Sequence, residues 1–266
     1  MTYRLIVLDI DGTLVSHDLR ISQRVRRAIE AAQKMGIIVT LASGRAFPSM
    51  LPYLEALGVS APVISYQGCK VVLPTTRQTI FHRALPLSEA HRLLGYAQSL
   101  NLDISAYVDD RIYLRDLRHP EEFYERWFGL PRIQVDDLVA GVHHEPTKIL
   151  ITGEGQENDR LMPKLQERFG SLMCIVRTHE FFIEAMALGV SKGLALEHVA
   201  AYLGIALEET MAIGDSDNDI ELVNRAGLGV AMGNASEGVK QAADCVAPSV
   251  AEDGAAVAIE TYCLCQ

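Results

Sequence analysis

The sequence has no long apolar run and no cluster of basic residues, and each absence argues against a class of protein. No stretch of about twenty consecutive apolar residues occurs, so no transmembrane helix is predicted. The chain enters an apolar strand pattern without a preceding basic segment, which argues against a standard signal peptide. The net charge of −10 argues against a general nucleic-acid-binding surface, since such surfaces need clustered Lys and Arg. The net charge does not exclude binding of a small phosphorylated ligand, because one bound cation can dominate the electrostatic field inside a pocket.

Cysteine is scarce, with five residues scattered over a chain of 266, namely Cys69, Cys174, Cys245, Cys263 and Cys265. An odd, scattered set is typical of reduced thiols, so we expect a cytoplasmic protein. Cys263 and Cys265 are one residue apart, but no second pair accompanies them. A frayed C-terminal tail is therefore favoured over a metal site. No feature of the sequence indicates an oligomeric state.

Short strands and helices alternate in the first third of the chain and again after Gly189. This alternation predicts an α/β protein with a doubly wound parallel sheet, in which ligands bind at the carboxyl ends of the strands. The middle of the chain instead shows a hairpin pattern and a closing pair of strands, which are typical of an α+β module with antiparallel pairing. We predict a discontinuous core of residues 1–83 and 188–266, with an inserted α+β domain of residues 84–187.

The most informative segment is residues 5–14, an apolar strand that ends in two aspartates and a glycine. Because strand side chains alternate in direction, Asp9 and Asp11 are predicted to share one face, and Gly12 lets the chain turn sharply. Two carboxylates this close repel each other. They fit a divalent cation site, or a nucleophile beside a proton donor. The alternative is an ordinary strand end with a polar turn.

Two further polar groups occur at a strand end and at a helix start. The sequence Ser43-Gly44-Arg45 follows the second strand, where the hydroxyl and the Gly44 amide would suit a phosphoryl oxygen, although a simple turn is the alternative. Lys192 opens a predicted helix, where a lysine is unfavourable for the helix itself. Together with the amides of the first turn it would favour a bound anion, unless it is an ordinary solvated lysine.

A third group, Asp215, Asp217 and Asp219, follows a strand in the last third of the chain. It fits either a capped helix start or a metal site. The alternate spacing also suggests a calcium loop. Counted from Asp215, however, the sixth position is Ile220, where glycine is required, and the twelfth is Ala226, where glutamate is required. A calcium loop is therefore excluded.

Taken together, the clusters resemble the four motifs of the haloacid dehalogenase-like (HAD) phosphatases. The matching segments are Asp9-Ile10-Asp11-Gly12-Thr13-Leu14, Ser43-Gly44-Arg45, Lys192 and Gly214-Asp215-Ser216-Asp217-Asn218-Asp219. Their order, with a large insertion between the second and third, is similar to the Cof-type branch with its α/β cap. The resemblance covers essentially the whole chain. It implies a HAD-like core with an inserted α+β cap domain that selects the substrate.

The resemblance also implies a role for each matching residue. Asp9 would be the nucleophile that forms an aspartyl-phosphate, and Asp11 would protonate the leaving oxygen and then activate water. Mg²⁺ would be bound by the Asp9 carboxylate, the Asp11 backbone carbonyl and Asp215, with Asp219 supporting these ligands. The groups implied to hold the phosphoryl oxygens are the amides of Ile10 and Gly44 and the side chains of Ser43, Lys192 and Asn218. Arg45 is expected to contact the substrate.

We therefore expect a Mg²⁺-dependent phosphatase that acts on a small phosphorylated metabolite, a sugar phosphate being one candidate. The alternatives are a phosphomutase on the same scaffold and a non-catalytic sensor of a phosphorylated metabolite. The presence of both Asp9 and Asp11 favours catalysis, because binding alone needs no nucleophile. One departure from the family stands out. Gln67-Gly68 lies where this branch usually has Asn-Gly, so the usual contact near the leaving group is left open.

Overall fold

The computed structural model describes residues 3–265, which divide into two compact units. The first unit contains residues 3–44, 50–81 and 191–265, and the second contains residues 45–49 and 82–190. The predicted class, α/β with a parallel sheet, is confirmed. The domain limits predicted from the sequence stay a prediction.

Helices and strands alternate along the described chain. The strands are β1 (Leu5–Asp9), β2 (Ile38–Ala42), β3 (Val63–Ser65), β4 (Lys70–Leu73), β5 (Gln78–His82), β6 (Asp103–Val108), β7 (Arg111–Leu114), β8 (Arg132–Gln134), β9 (Lys148–Thr152), β10 (Cys174–His179), β11 (Phe182–Met186), β12 (Thr210–Gly214), β13 (Leu228–Ala231) and β14 (Cys245–Val246). The helices are α1 (Gln23–Lys34), α2 (Phe47–Leu57), α3 (Leu87–Ser99), α4 (Glu121–Trp127), α5 (Leu138–Gly141), α6 (Gly155–Phe169), α7 (Lys192–Leu203), α8 (Ile220–Arg225), α9 (Glu237–Ala242) and α10 (Gly254–Ile259).

The sheet of the first unit has the strand order β14-β13-β12-β1-β2-β3-β4-β5. Strands β14 to β3 are parallel, and β4 runs antiparallel to β3. The register pairs Asp9 with Ala42 across β1 and β2, and Leu8 with Ile213 across β1 and β12. Because the strands are parallel and in step, the residues that follow β1, β2 and β12 meet at one edge of the sheet.

Helix α7 packs on this sheet through small and branched apolar residues. Ala195, Leu196 and Val199 belong to the same buried cluster as Leu5 and Val7 of β1. The helix begins where Ser191 caps it, with the Ser191 hydroxyl accepting a hydrogen bond from the Leu194 amide at 3.1 Å. This packing brings the first residue of α7, Lys192, to the same edge of the sheet as the end of β1.

The second unit contains a six-stranded sheet in the order β10-β11-β9-β6-β7-β8, antiparallel except for the parallel pair of β7 and β8. One face is apolar and packs against α3, α5 and α6, to which β6 contributes Ile104, Ala106 and Val108. Strand alternation places Ser105 and Tyr107 on the opposite face. The unit thus has an apolar core on one side of its sheet and polar side chains on the other.

The C-terminal segment corrects one expectation. Residues 260–264 form a π-helical turn that continues α10, and Cys263 is 1% exposed, with its Sγ atom 4.0 Å from Sδ of Met211 in β12. Burial raises the pKa of the Cys263 thiol to about 11. The predicted frayed tail is therefore wrong at Cys263, because the apolar α10 carries it onto the sheet. No helix in residues 3–265 combines the length and the apolar character that a bilayer crossing requires.

Candidate active site

The carboxylate of Asp9 lies at the end of β1 and is 4% exposed. Its Oδ1 atom accepts a hydrogen bond from Nζ of Lys192 at 2.6 Å, and the same ammonium donates to Oδ1 of Asp219 at 2.6 Å. Lys192 is itself 1% exposed, so the solvated-lysine alternative is excluded. A buried ammonium needs compensating carboxylates, and two of them hold Lys192 in place.

Asp219 is buried, and both of its oxygens have partners. While Oδ1 contacts Lys192, Oδ2 accepts from the backbone N–H groups of Asp215 and Ser216 at 3.0 and 3.1 Å. These bonds organise the turn after β12 and orient the Asp215 side chain. Asp219 therefore links the lysine to the acidic turn.

The Asp215 side chain lies against the loop that follows β1. Its Oδ1 atom accepts a hydrogen bond from the hydroxyl of Thr13 at 3.0 Å. A Cβ atom added to Gly12 would lie 2.3 Å from Oδ2 of Asp215, and the φ angle of Gly12 is +90°. Only glycine satisfies both this conformation and this close approach. The glycine of the first motif thus allows the two acidic loops to touch.

Three carboxylates converge at this edge of the sheet. Asp9, Asp215 and Asp219 each offer an oxygen, and these oxygens all lie within 4.8 Å of one another. Burial raises the pKa of Asp9 well above its ordinary value; Lys192 lowers it, and Asp219, Asp215 and Asp11 raise it further. Burial and Asp219 raise the pKa of Asp215 to about 6. Carboxylate oxygens this crowded fit a hard divalent cation, which would offset their repulsion.

Asp11 is not one of these three carboxylates, and its side chain is exposed on the loop that follows β1. The loop is held by backbone bonds. The carbonyl of Ile10 accepts from the amides of Leu14 and Val15, and the amide of Gly12 donates to the carbonyl of Val15. The Asp11 side chain is therefore accessible to solvent on a loop that backbone bonds hold in place.

The predicted phosphate-binding residues that follow β2, Ser43 and Gly44, lie beside Gln67. Ser43 is 1% exposed, and its carbonyl accepts from the Gln67 amide at 3.1 Å. A Cβ atom on Gly44 would lie 2.2 Å from Nε2 of Gln67, so the carboxamide lies directly against this glycine. The half-buried Arg45 follows. Ser43 and Gly44 thus both contact Gln67, Ser43 through its backbone and Gly44 through the Gln67 carboxamide.

Gln67 also reaches the acidic turn. Its Oε1 atom accepts a hydrogen bond from Nδ2 of Asn218 at 2.7 Å. The Oδ1 atom of Asn218 is buried, and residues 3–265 provide no hydrogen-bond donor for it. The residue that departs from the family pattern therefore connects the second and fourth motifs. Residue-by-residue matching to the family missed both this link and the contact of Thr13 with Asp215.

The sequence as a whole decides the family. A model of the haloacid dehalogenase-like hydrolases matches residues 6–259. The chain belongs to this family. The predicted resemblance is confirmed, and the HAD-like hydrolase described above is an enzyme of the phosphatase class.

Relatives of this hydrolase are similar over their full length. The chain is 29% identical over 267 residues to the Bacillus subtilis 5-amino-6-(5-phospho-D-ribitylamino)uracil phosphatase YitU, covering 97% of each chain. A haloacid dehalogenase-like hydrolase from Bacteroides thetaiotaomicron is 31% identical, with a TM-score of 0.88 over 98% of this chain and 99% of the other. The HAD subclass IIB sugar phosphatase BT4131 is 25% identical, with a TM-score of 0.81 over 97% and 98%.

Proposed function

We propose that this hydrolase is a Mg²⁺-dependent phosphatase that cleaves a small phosphorylated metabolite through an aspartyl-phosphate. The observation that carries the proposal is the buried Asp9 carboxylate, held 2.6 Å from Lys192 beside Asp215 and Asp219. A nucleophile for phosphoryl transfer needs a fixed position and neighbouring positive charge. Lys192 supplies one positive charge, and the carboxylates of Asp9 and Asp215 offer ligands for a divalent cation that would supply more.

In the first step an oxygen of Asp9 attacks phosphorus, and the bond from phosphorus to the leaving oxygen breaks. Asp11 donates a proton to that oxygen, so the alcohol leaves neutral. In the second step Asp11 takes a proton from water, which attacks the aspartyl-phosphate and releases inorganic phosphate and the Asp9 carboxylate. The protons balance over the cycle. Lys192, Ser43 and the amides of Ile10 and Gly44 would hold the phosphoryl oxygens throughout.

Mg²⁺ would be held by the carboxylates of Asp9 and Asp215 and the backbone carbonyl of Asp11, with Asp219 supporting them. When bound, the ion neutralises charge on the phosphoryl group. Asp219 has both oxygens engaged by Lys192 and two amides, so its contribution is to orient the others.

The test is release of inorganic phosphate from a panel of phosphorylated metabolites by the purified protein. The panel includes sugar phosphates and a phosphorylated ribitylaminouracil, because the relatives are named for such substrates. Phosphate release with turnover supports the proposal. Transfer of the phosphoryl group within the substrate, without release, would indicate a phosphomutase. Binding of a panel member without any reaction would indicate a sensor and contradict the proposed enzyme.

We propose that the second unit selects the substrate. Lys148 and Glu184 form a buried ion pair on the polar face of its sheet, and Nζ of Lys148 lies 4.9 Å from the ring centroid of Tyr107. Buried charged groups on one face of a sheet are costly to keep, and they suit recognition of a polar ligand.

Replacing Tyr107 with Phe removes one hydroxyl beside this pair. We expect kcat/KM to fall about 10-fold for the preferred metabolite if, as proposed, this hydroxyl contributes a hydrogen bond to the substrate. We expect hydrolysis of p-nitrophenyl phosphate, whose aromatic leaving group differs from the metabolite that this face would select, to be unchanged. The measurement is the ratio of kcat/KM for the two substrates. An unchanged ratio in the folded variant would contradict this assignment.

The Gln67 contact leads to a separate prediction. Gln67→Asn shortens the side chain by one methylene and loses the 2.7 Å bond to Asn218, so we expect kcat/KM to fall about 2- to 10-fold. Gln67→Glu keeps an acceptor for Asn218 but places a carboxylate beside Gly44, and its activity should fall further through repulsion of the phosphate. Gln33→Asn, in α1, is the control. Equal activities of Gln67→Glu and the wild type would refute the placement.

A further inference from the structure

The turn after β13 contacts both loops of the proposed active site. Asn234 in this turn has an exposed side chain, yet its Nδ2 atom donates to the carbonyl of Gly12 at 2.9 Å. Its Oδ1 atom accepts from the amide of Val250 at 2.8 Å. Two residues later, the amide of Ser236 donates to the carbonyl of Asp215 at 2.9 Å. One short turn thus contacts the loop that carries Asp11 and the loop that carries Asp215.

The chemistry of the two partners explains why the residue is asparagine. The carbonyl of Gly12 can only accept a hydrogen bond, and the amide of Val250 can only donate one. A side chain that joins them must carry one donor and one acceptor on a short stem. The carboxamide of asparagine does so without adding charge. The orientation of the Asn234 carboxamide is therefore fixed by its backbone partners.

The bond to Gly12 constrains a peptide unit next to the chemistry. The Gly12 carbonyl belongs to the peptide that joins Gly12 to Thr13. Asp11 precedes this peptide, and the Thr13 hydroxyl after it donates to Asp215 at 3.0 Å. The backbone bonds from the Gly12 amide to Val15 and from Leu14 and Val15 to Ile10 run within the loop itself. The Asn234 side chain anchors the loop to a segment 222 residues away in the sequence.

We infer that Asn234 is a positioning residue that holds the loop of Asp11 and Thr13 in its working position. Its side chain acts through the Gly12 carbonyl and needs no contact with the substrate. The catalytic part of this inference rests on the proposed phosphatase function. The structural part, that Asn234 holds the loop, stands by itself and is tested separately.

Two substitutions separate the two arms of the contact, namely the hydrogen bond to the Gly12 carbonyl and the hydrogen bond from the Val250 amide. Asn234→Asp keeps an acceptor for Val250 but loses the donor to Gly12 and sets a carboxylate oxygen against its carbonyl. Val250→Pro removes the donor of the other arm. Proline is compatible there, because Val250 is the first residue of a 3₁₀ turn and Ser249 before it is extended, with φ −68° and ψ 165°. Asn234→Ala removes both arms.

Asn158 provides a matched control in the second unit. It also bridges two backbone groups, donating to the carbonyls of Gly153 at 3.2 Å and Glu180 at 3.0 Å, and it is 1% exposed. Asn158→Ala therefore removes the same kind of contact from a more buried site. It should lower stability at least as much as Asn234→Ala does, without a specific effect on turnover.

We expect Asn234→Ala and Asn234→Asp to lower kcat about 10- to 100-fold while KM changes less than about 3-fold, as is typical when a supporting contact is lost. Val250→Pro should have a smaller effect. Hydrogen–deuterium exchange of a peptide covering residues 10–16 should be faster in both Asn234 variants and unchanged in Asn158→Ala. The exchange experiment needs no substrate, so it decides the structural part even if the phosphate-release panel contradicts the proposed function.

Two results would overturn the inference. One is exchange of residues 10–16 at the wild-type rate in Asn234→Ala. The other is an activity loss in Asn234→Ala that matches its loss of folded protein, or that appears equally in Asn158→Ala. Either would show that Asn234 contributes to general stability or to nothing measurable, and not to the position of the loop.

Discussion

Asp9→Asn is expected to abolish turnover and leave the fold intact. The carboxamide has the shape of the carboxylate but cannot form the aspartyl-phosphate, so we expect kcat to fall by a factor on the order of 10⁴ or more. The fold should tolerate the change, because Lys192 keeps Asp219 as a partner at 2.6 Å. Removing a buried carboxylate whose pKa is raised by its surroundings also relieves repulsion.

The measurements are the rate of phosphate release at a saturating substrate concentration, which reports kcat, and the thermal unfolding midpoint, which reports the fold. Asp18→Asn is the matched control, since Asp18 is exposed beyond the same loop and accepts hydrogen bonds from Ser16 and the Arg20 amide. It should retain wild-type activity. Substantial phosphate release by folded Asp9→Asn, free of contaminating phosphatase, would rule out Asp9 as the nucleophile.

Removal of divalent cations is the second change with a large expected effect. Excess chelator should reduce phosphate release to background, and added Mg²⁺ should restore it, because three converging carboxylates oppose a phosphate dianion unless a cation lies between them. Asp215→Asn should raise the Mg²⁺ concentration needed for half-maximal activity about 10- to 100-fold. Full activity in chelator, or an unchanged Mg²⁺ requirement in Asp215→Asn, would contradict the proposed site.

The same substitution has a signature that does not depend on activity. The pKa of Asp215 is raised from 3.8 to about 6, mainly by burial and then by Asp219. The metal-free fold therefore disfavours the ionised form, and the Asp215 contribution to the free energy of unfolding falls as pH rises from about 4 to about 6. In urea unfolding experiments at several pH values, the free energy of unfolding of Asp215→Asn should fall less between pH of about 4 and about 6 than that of the wild type. If the free energies of unfolding of the two proteins changed equally with pH, Asp215 would not be under this repulsion.

Local patterns in the sequence determined most of the architecture. The apolar run that ends at Asp9 forms β1, and Ser22 caps α1, its hydroxyl accepting from the Val25 amide at 3.1 Å. The acidic cluster follows β12, and Lys192 begins α7. These features depend on neighbours within a few residues, so periodicity, capping and turn residues are sufficient to predict them. The resemblance to the HAD family then assigned roles to residues at the strand ends.

Only the tertiary structure decided which of these residues touch. Lys192 meets Asp9 across 183 residues of sequence, Thr13 meets Asp215 across 202, and Gln67 meets Asn218 across 151. Asn234 follows β13 without any motif that marks it, and Cys263 is buried where the sequence favoured a frayed tail. Contacts over such separations depend on strand order, register and helix packing, which arise from the burial of the whole core. No local pattern contains that information, because the same short segment would serve equally well against a different partner.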